Sequence, residues 1–440
     1  MFNSFFKFVQ NNTKDLYNNS LILKCTDTLI LISILAVFVF SMFAPSDSIG
    51  IFAVAAIGLT LVNLLFRLGD KLECSKFELF LLIYFMLMII SLCGSSLFHL
   101  SLKGFIKNII YLGFYISVVQ YLKNNKDKVW YVIFTIAGCV CIETIQGLLQ
   151  TVVKPEAIST WQDTSYLNPE EIINRVYGTL KPYNPNLFGG YLVAAIPALI
   201  GSIAFFVHNN FKNYAFCSSI LALGTAYVLF QTGCRGAYLG LFAIILLIIA
   251  LCAKFFWNTY KKQFISIASS IIALGSIFVM SVTSLRARVL SIFIMREDSS
   301  NAFRFNVYNS CLDILKDNWL LGIGLGNQNF REIYGLYMKT GFDALSAYNI
   351  YLETAVESGI FALVAFVVFL AIAIYEALKF IFNTQNKNEL FAVATALSAI
   401  IGLMVHGFVD TVFFRPQIHF IFWTMIAVIR VYTYNERLNK

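Results

Sequence analysis

Charge is scarce in this chain. Only 13% of its 440 residues are Asp, Glu, Lys or Arg, where a soluble domain carries about a quarter. That excludes an ordinary soluble protein. Internal repeats, low-complexity stretches, a soluble domain and a linker are all lacking. Of four histidines, His99, His208 and His419 stand isolated, and no His/Cys spacing suggests a metal site. No metal and no cofactor is therefore expected. The nine cysteines are an odd number, mostly inside apolar runs, where they serve as small apolar residues. Cys234 and Cys311 fall outside those runs; a bridge between them is open to the sequence but unsupported by it.

Apolar residues are what the chain has instead. They make up 59% of it, with 43 Phe and 22 Tyr and a mean hydropathy of +0.74. Such runs belong in lipid, so the expected fold is an all-α, polytopic integral membrane protein, a single membrane domain over 1–440. At roughly 20 apolar residues per span, about twelve transmembrane helices are predicted. They cover 28–44, 49–66, 78–94, 104–122, 129–150, 186–207, 214–231, 236–253, 263–283, 348–378, 389–407 and 416–432. The first is too long, and lacks the small-residue cleavage pattern, to be a removable signal peptide.

Lysines set the orientation. Lys7, Lys14 and Lys24 precede the first span, Lys71 and Lys76 follow the second, and Lys123, Lys126 and Lys128 follow the fourth. Lys254, Lys261 and Lys262 follow the eighth, and Lys379 and Lys387 the tenth. All fall on one side, which the positive-inside rule makes cytoplasmic, together with both termini. The net charge of +8 is partly this signal and does not argue for a nucleic-acid partner.

Two long loops, 151–185 and 284–347, then face outward, and the outer side is rich in Arg rather than Lys. It holds Arg175, Arg235, Arg286, Arg288, Arg296, Arg304, Arg331 and Arg415. Arginine is the planar, bidentate ligand of phosphate and carboxylate, so an anion held near the membrane surface is expected. The plain alternative is contact with lipid headgroups or with loop acids such as Glu297 and Asp298.

Four motifs concentrate the polar residues. "GTLKPYNPNLFGGYL" (Gly178 to Leu192) is an irregular entry to the sixth span, where Asn184 and Asn186 either cap the helix or bind a ligand. "QTGCRGAYLGL" (Gln231 to Leu241) is a tight turn that places Arg235 at a helix start, beside free backbone N–H groups. "RFNVYNSCLDILKDNWLLGIGLGNQNF" (Arg304 to Phe330) reads as an amphipathic outer helix with Leu312, Leu315, Trp319 and Leu320 as its apolar side, then a Gly-rich loop that is no phosphate-binding fingerprint. "HGFVDTVFFRPQIHFIFW" (His406 to Trp423) puts His406, Asp410 and Arg415 in one short turn, either a functional group or a structural tie. In "SAYNIYLETAVESG", Asn349, Glu353 and Glu357 recur every four residues and predict a polar stripe on one helix face.

In their order and spacing these segments resemble the O-antigen ligase and O-antigen polymerase superfamily of bacterial envelope proteins. The resemblance runs over about 178–423 through Asn184-Pro185-Asn186, Thr232 to Gly236, Arg304 to Phe330, and Asn349 to Gly359. Two segments look most like a cyanobacterial branch that carries a bicarbonate-transport label. The superfamily implies transfer of a glycan from undecaprenyl pyrophosphate to an acceptor hydroxyl on a glycan, lipid or protein, at the outer face of the cytoplasmic membrane. It implies that Arg235, Arg304 and Arg415, with Arg175, clamp the diphosphate. Glu353 and Glu357 would then serve the acceptor. One departure stands out. The family's usual His before the Asn is Tyr348 here, and a phenol with a pKa near 10 is a poor base. A transporter of bicarbonate or another small anion is the rival reading; it would draw on a deep polar pair such as Glu143 and Gln146.

Overall fold

The computed structural model describes residues 2–72, 75–153, 173–293 and 299–435. Most of the first outer loop, and Arg296, Glu297 and Asp298 of the second, lie outside the described residues. The chain forms helices α1 (Phe2–Asn12), α2 (Lys14–Asn19), α3 (Leu21–Ser41), α4 (Ser46–Phe66), α5 (Leu79–Gly94), α6 (Phe98–Asn124), α7 (Val129–Val153), α8 (Pro185–His208) and α9 (Lys212–Gln231). Then come α10 (Arg235–Ser281), α11 (Thr283–Leu290), α12 (Ser299–Asn318), α13 (Asn327–Tyr334), α14 (Ile350–Ser358), α15 (Ile360–Asn383), α16 (Lys387–His406) and α17 (Pro416–Asn435).

Nine of these, among the described residues, are long and apolar enough to cross a membrane: α3, α4, α6, α7, α8, α9, α10, α15 and α16. The expectation of twelve also counts the shorter apolar α5 and the 20-residue α17, and divides the 47-residue α10 at Tyr260, where the backbone leaves helical geometry. Lipid-facing positions on the outer helices carry exposed Ile, Leu and Phe, as a bilayer solvent requires.

Helix α8 forms the middle of the bundle, its first fifteen residues buried apart from Asn186. Its start is well determined. The Asn184 side chain accepts the Asn186 and Leu187 N–H groups (2.7 and 3.3 Å), and Pro185 occupies the first helical position, where its missing N–H costs nothing. Helices α7, α9, α10 and α16 pack around it, with α17 next to α16. The start of α8, the end of α9, the starts of α10 and α17 and the end of α16 thereby share one end of the bundle.

The predicted span at 348–378 is two helices. The chain breaks at Gly359, whose φ of 84° is closed to most residues. A Cβ there would also collide with the Leu320 carbonyl. The Ile360 N–H donates to the Trp319 carbonyl (2.9 Å), which docks the break onto the end of the outer segment. A break inside an apolar run leaves no mark on its hydropathy, and so it was not expected. Glu353 and Glu357 consequently sit on α14, a short buried helix before the span α15.

Cys234 and Cys311 are both free and buried, so the bridge that the sequence left open is not formed. Helix α12 packs Val307, Cys311 and Ile314 inward, while Leu312, and Trp319 and Leu320 just beyond its end, are exposed. Gly359→Ala should lower stability by about 1–3 kcal/mol, the order of cost for forcing a residue with a side chain into this backbone region. Thermal melting of the detergent-solubilised protein measures it, and an unchanged midpoint would show that the break tolerates a side chain.

Candidate functional site

The site grows around the turn Thr232–Cys234 between α9 and α10. Its carbonyls are held by arginines. Arg175 Nε donates to the Thr232 carbonyl (2.7 Å) and its Nη2 to Asn186 Oδ1 (2.5 Å). Arg288 Nε donates to the Gly233 carbonyl (2.9 Å). Arg235, the first residue of α10, reaches Ser291 Oγ at 3.2 Å. The structure therefore brings Arg175, Arg235 and Arg288 to one turn, from three segments far apart in sequence. Asn184 and Asn186 serve this arrangement as helix cap and as acceptor for Arg175.

His406, at the end of α16, faces the same turn, with Nε2 3.7 Å from Cys234 Sγ. Its ring fits because two neighbours are glycine. A Cβ on Gly190 would lie 2.9 Å from His406 Cε1, and one on Gly236 2.9 Å from Nε2. Asp410 follows in the next loop. Its Oδ1 accepts the Thr411 and Val412 N–H groups (2.7 and 3.2 Å). Its Oδ2 is buried, accepts no hydrogen bond, and faces Arg304 Nη2 at 3.7 Å. Arg304 in turn lies over the Tyr348 ring, 5.8 Å from its centroid, in cation–π range.

Tyr348 holds a left-handed backbone, φ 51°, and its carbonyl accepts the Tyr308 hydroxyl (3.1 Å). Burial, and then the charge of Asp410, push its phenol above the ordinary value. It stays protonated at neutral pH and does not replace a histidine base. Arg415 is exposed, unlike the buried Arg175 and Arg235. Arg331 pairs with Asp343 on the surface (2.8 Å), as the plain alternative expects of an outer arginine.

Glu353 and Glu357 are buried, and neither makes an ion pair among the described residues. Glu353 Oε2 accepts the Ala347 N–H (2.9 Å), and Glu357 Oε1 the Gly326 N–H (2.8 Å). The anticipated stripe of three is a pair, because Asn349 is the N-cap of α14, accepting the Tyr351 and Leu352 N–H groups (2.9 and 3.0 Å). Burial raises the Glu357 carboxyl to about 7. Burial, and then the charge of Glu357, hold Glu353 well above the ordinary carboxylate range. Two carboxyl groups so close in a dry site do not both ionise easily, so the pair retains a proton near neutrality.

Arg288 and Cys234 were not read as site residues from the sequence. Arg288 carried no motif and stood only in the outer arginine set, and Cys234 stood only as one half of a possible bridge.

The fold and site together define a polytopic helical membrane protein with a cluster of guanidinium groups where helix ends meet. Residues 220–367, about a third of the chain, match the family model described as O-antigen ligase. The match supports the O-antigen ligase superfamily. It covers Cys234, Arg235, Arg288, Arg304, Tyr348, Asn349, Glu353 and Glu357, and leaves Arg175, Asn184, Asn186, His406, Asp410 and Arg415 outside. It carries no support for the bicarbonate-transport branch. No curated protein matches the chain.

The raised Glu357 carboxyl has a consequence for stability. The folded protein keeps a proton that the unfolded chain releases from about pH 4.5 upward, so this group's contribution falls as pH rises through the window from 4.5 to about 7. Glu357→Gln mimics the neutral form. Its melting temperature should match wild type near pH 4, below the window, and exceed it at pH 8; parallel pH profiles would mean that Glu357 is not protonated in the folded protein.

Proposed function

We propose that this protein is an envelope glycan transferase, ligase-like or polymerase-like, acting on a polyprenyl-pyrophosphate-linked glycan at the outer face of the bacterial cytoplasmic membrane. The observation that carries the reading is the gathering of Arg175, Arg235, Arg288 and Arg304 around one turn, with Asp410 as the carboxylate that faces Arg304. Such an excess of cationic forks suits a diphosphate at a membrane surface.

On this reading Arg304 and Arg235 contact the diphosphate of an undecaprenyl-pyrophosphate-linked glycan. Arg175 and Arg288, whose Nε atoms are engaged on the turn, position them. Asn184, Asn186, Tyr348, Asn349, His406 and Asp410 shape the pocket, and Arg415 guards its exposed rim. The bond from the anomeric carbon to the diphosphate breaks, and the leaving diphosphate takes the electron pair. Preorganised guanidinium groups stabilise the charge that develops on it. The acceptor hydroxyl attacks from the opposite face with inversion. Its proton passes to the Glu353–Glu357 pair, which shares one proton near neutrality and so keeps one carboxylate able to accept another; Glu353 is the member that the fields of Asp410 and Arg415 reach.

Nothing specific favours the anion-transporter alternative. The ionisable groups gather at the two ends of the bundle, the arginine cluster at one and the pairs Asp27–Arg67 and Glu78–Arg430 at the other, and Glu143 accepts the backbone N–H and hydroxyl of Thr179 instead of lining a path.

Arg304→Lys loses the bidentate fork and should lower glycan transfer by about 100-fold or more, on the scale of removing one transition-state donor. Glu353→Gln should bind the lipid-linked donor yet transfer nothing. Surface polysaccharide and accumulated lipid-linked intermediates, followed in cells carrying each variant, read both effects. Full transfer by a folded Glu353→Gln protein would remove the carboxylate from the mechanism, and normal polysaccharide after gene deletion would remove the transferase reading.

The outer placement is tested separately. A single cysteine at Thr340, an exposed position, should react with a membrane-impermeant thiol reagent on intact cells. Reaction only after permeabilisation would reverse the orientation.

A further inference from the structure

The turn that the arginines hold also carries a second kind of chemistry. Cys234, His406 and Asp410 are all buried, and each offers one ligand atom within 4.8 Å of the other two. We propose that Cys234, His406 and Asp410 form a binding site for a soft divalent cation of the zinc class, set at the edge of the arginine cluster.

Three observations carry this. First, Cys234 Sγ and His406 Nε2 stand 3.7 Å apart. Thiolate sulfur at about 2.3 Å and imidazole nitrogen at about 2.0 Å from a tetrahedral ion stand roughly 3.5 Å from each other. Second, Asp410 Oδ2 is buried and, among the described residues, accepts no hydrogen bond, so an oxygen ligand stands at the third corner with Arg304 opposite it at 3.7 Å. Third, the ligands are preorganised. The imidazole is seated against Gly190 and Gly236, and Asp410 is fixed through Oδ1 by two backbone N–H groups.

The ligand set also selects the ion. One thiolate, one imidazole and one carboxylate suit zinc, and leave a fourth position for water or a phosphate oxygen. Magnesium and calcium require oxygen ligands that this set lacks. The neighbouring guanidinium groups oppose a weakly held dication. Arg304, 3.7 Å from Oδ2, competes for that oxygen and must yield to the metal. On binding, the Cys234 thiol gives its proton to solvent and the sulfur donates the freed pair to the ion. No oxidation or reduction is involved. The proposal stands independently of the transferase reading.

The test uses the full-length protein in detergent, stripped with chelator and titrated with Zn2+ alone and then Co2+ alone. Wild type should bind one ion per chain, and its Co2+ form should show thiolate-to-metal charge-transfer absorption. Cys234→Ser should abolish that absorption and weaken Zn2+ binding by at least about 100-fold. His406→Gln and Asp410→Asn, checked for folding by melting, should each weaken binding as well. The proposal is overturned if wild type binds no ion. It is equally overturned if folded Cys234→Ser, or both other variants, bind as wild type does, because the ion would then sit on the exposed cysteines Cys25, Cys93 or Cys217.

Discussion

Backbone that leaves helical geometry at the edge of a bilayer must have its carbonyl and N–H groups satisfied from within the protein, and this molecule meets that constraint with ionisable side chains. Arg175 and Arg288 bind the carbonyls of the turn Thr232–Cys234. Glu143 binds the backbone at Thr179, Glu353 that at Ala347, and Glu357 that at Gly326. The division is consistent. Guanidinium groups pin carbonyls, and carboxyl groups pin N–H donors. Each tie but that of Arg175, which joins two irregular segments, crosses from a helix to an irregular segment, so the same bonds that satisfy the backbone also fix the loops over the bundle end.

Buried charges pair with one another at Arg304–Asp410 and Arg430–Glu78, and elsewhere they hold backbone instead. An acid and a base placed in contact would lose much of their reach, and a buried ion pair repays its desolvation only with good geometry. Here Glu353 and Glu357 find backbone N–H groups, and burial then raises both carboxyl groups instead of leaving them ionised. The arginines, engaged on carbonyls, keep their charge. The result is a cationic wall around the turn and a proton-bearing pair on α14, with Arg304 over Tyr348 and against Asp410 between them. A site with positive charge on one side and a titratable pair on the other is what a reaction that expels an anion and collects a proton requires.

Much of this was legible in the sequence, for reasons that differ by element. Hydropathy marks spans because lipid imposes one requirement on every exposed position, so α4, α8 and α16 fall close to their predicted limits. The NPN segment was legible as a cap or a ligand, and it is a cap with a second Asn that serves Arg175. The spacing of Asn349, Glu353 and Glu357 misled in part, since a residue four before a helical Glu satisfies the same periodicity whether it lies on the face or caps the end. Gly359 was silent because a break between two apolar segments changes no average. The partners of the two glutamates could not be read at all. Ala347 and Gly326 contribute only backbone, which every residue type possesses.

The seat of His406 shows why weak motifs became informative in combination. Its ring occupies the space that Gly190 and Gly236 leave open. The first glycine belongs to the segment whose Asn186 holds Arg175, and the second follows Arg235 directly. Asp410, four residues beyond the histidine, reaches Arg304 of the outer helix. Each motif therefore supplies one arginine, or the side chain that holds one, together with one part of the histidine's surroundings. None of these parts defines a site alone, since a Gly pair or a lone Arg at a helix start is common packing. Their order along the chain matters because α8, α10 and α16 pack against each other, and only that packing turns four separate segments into one cluster.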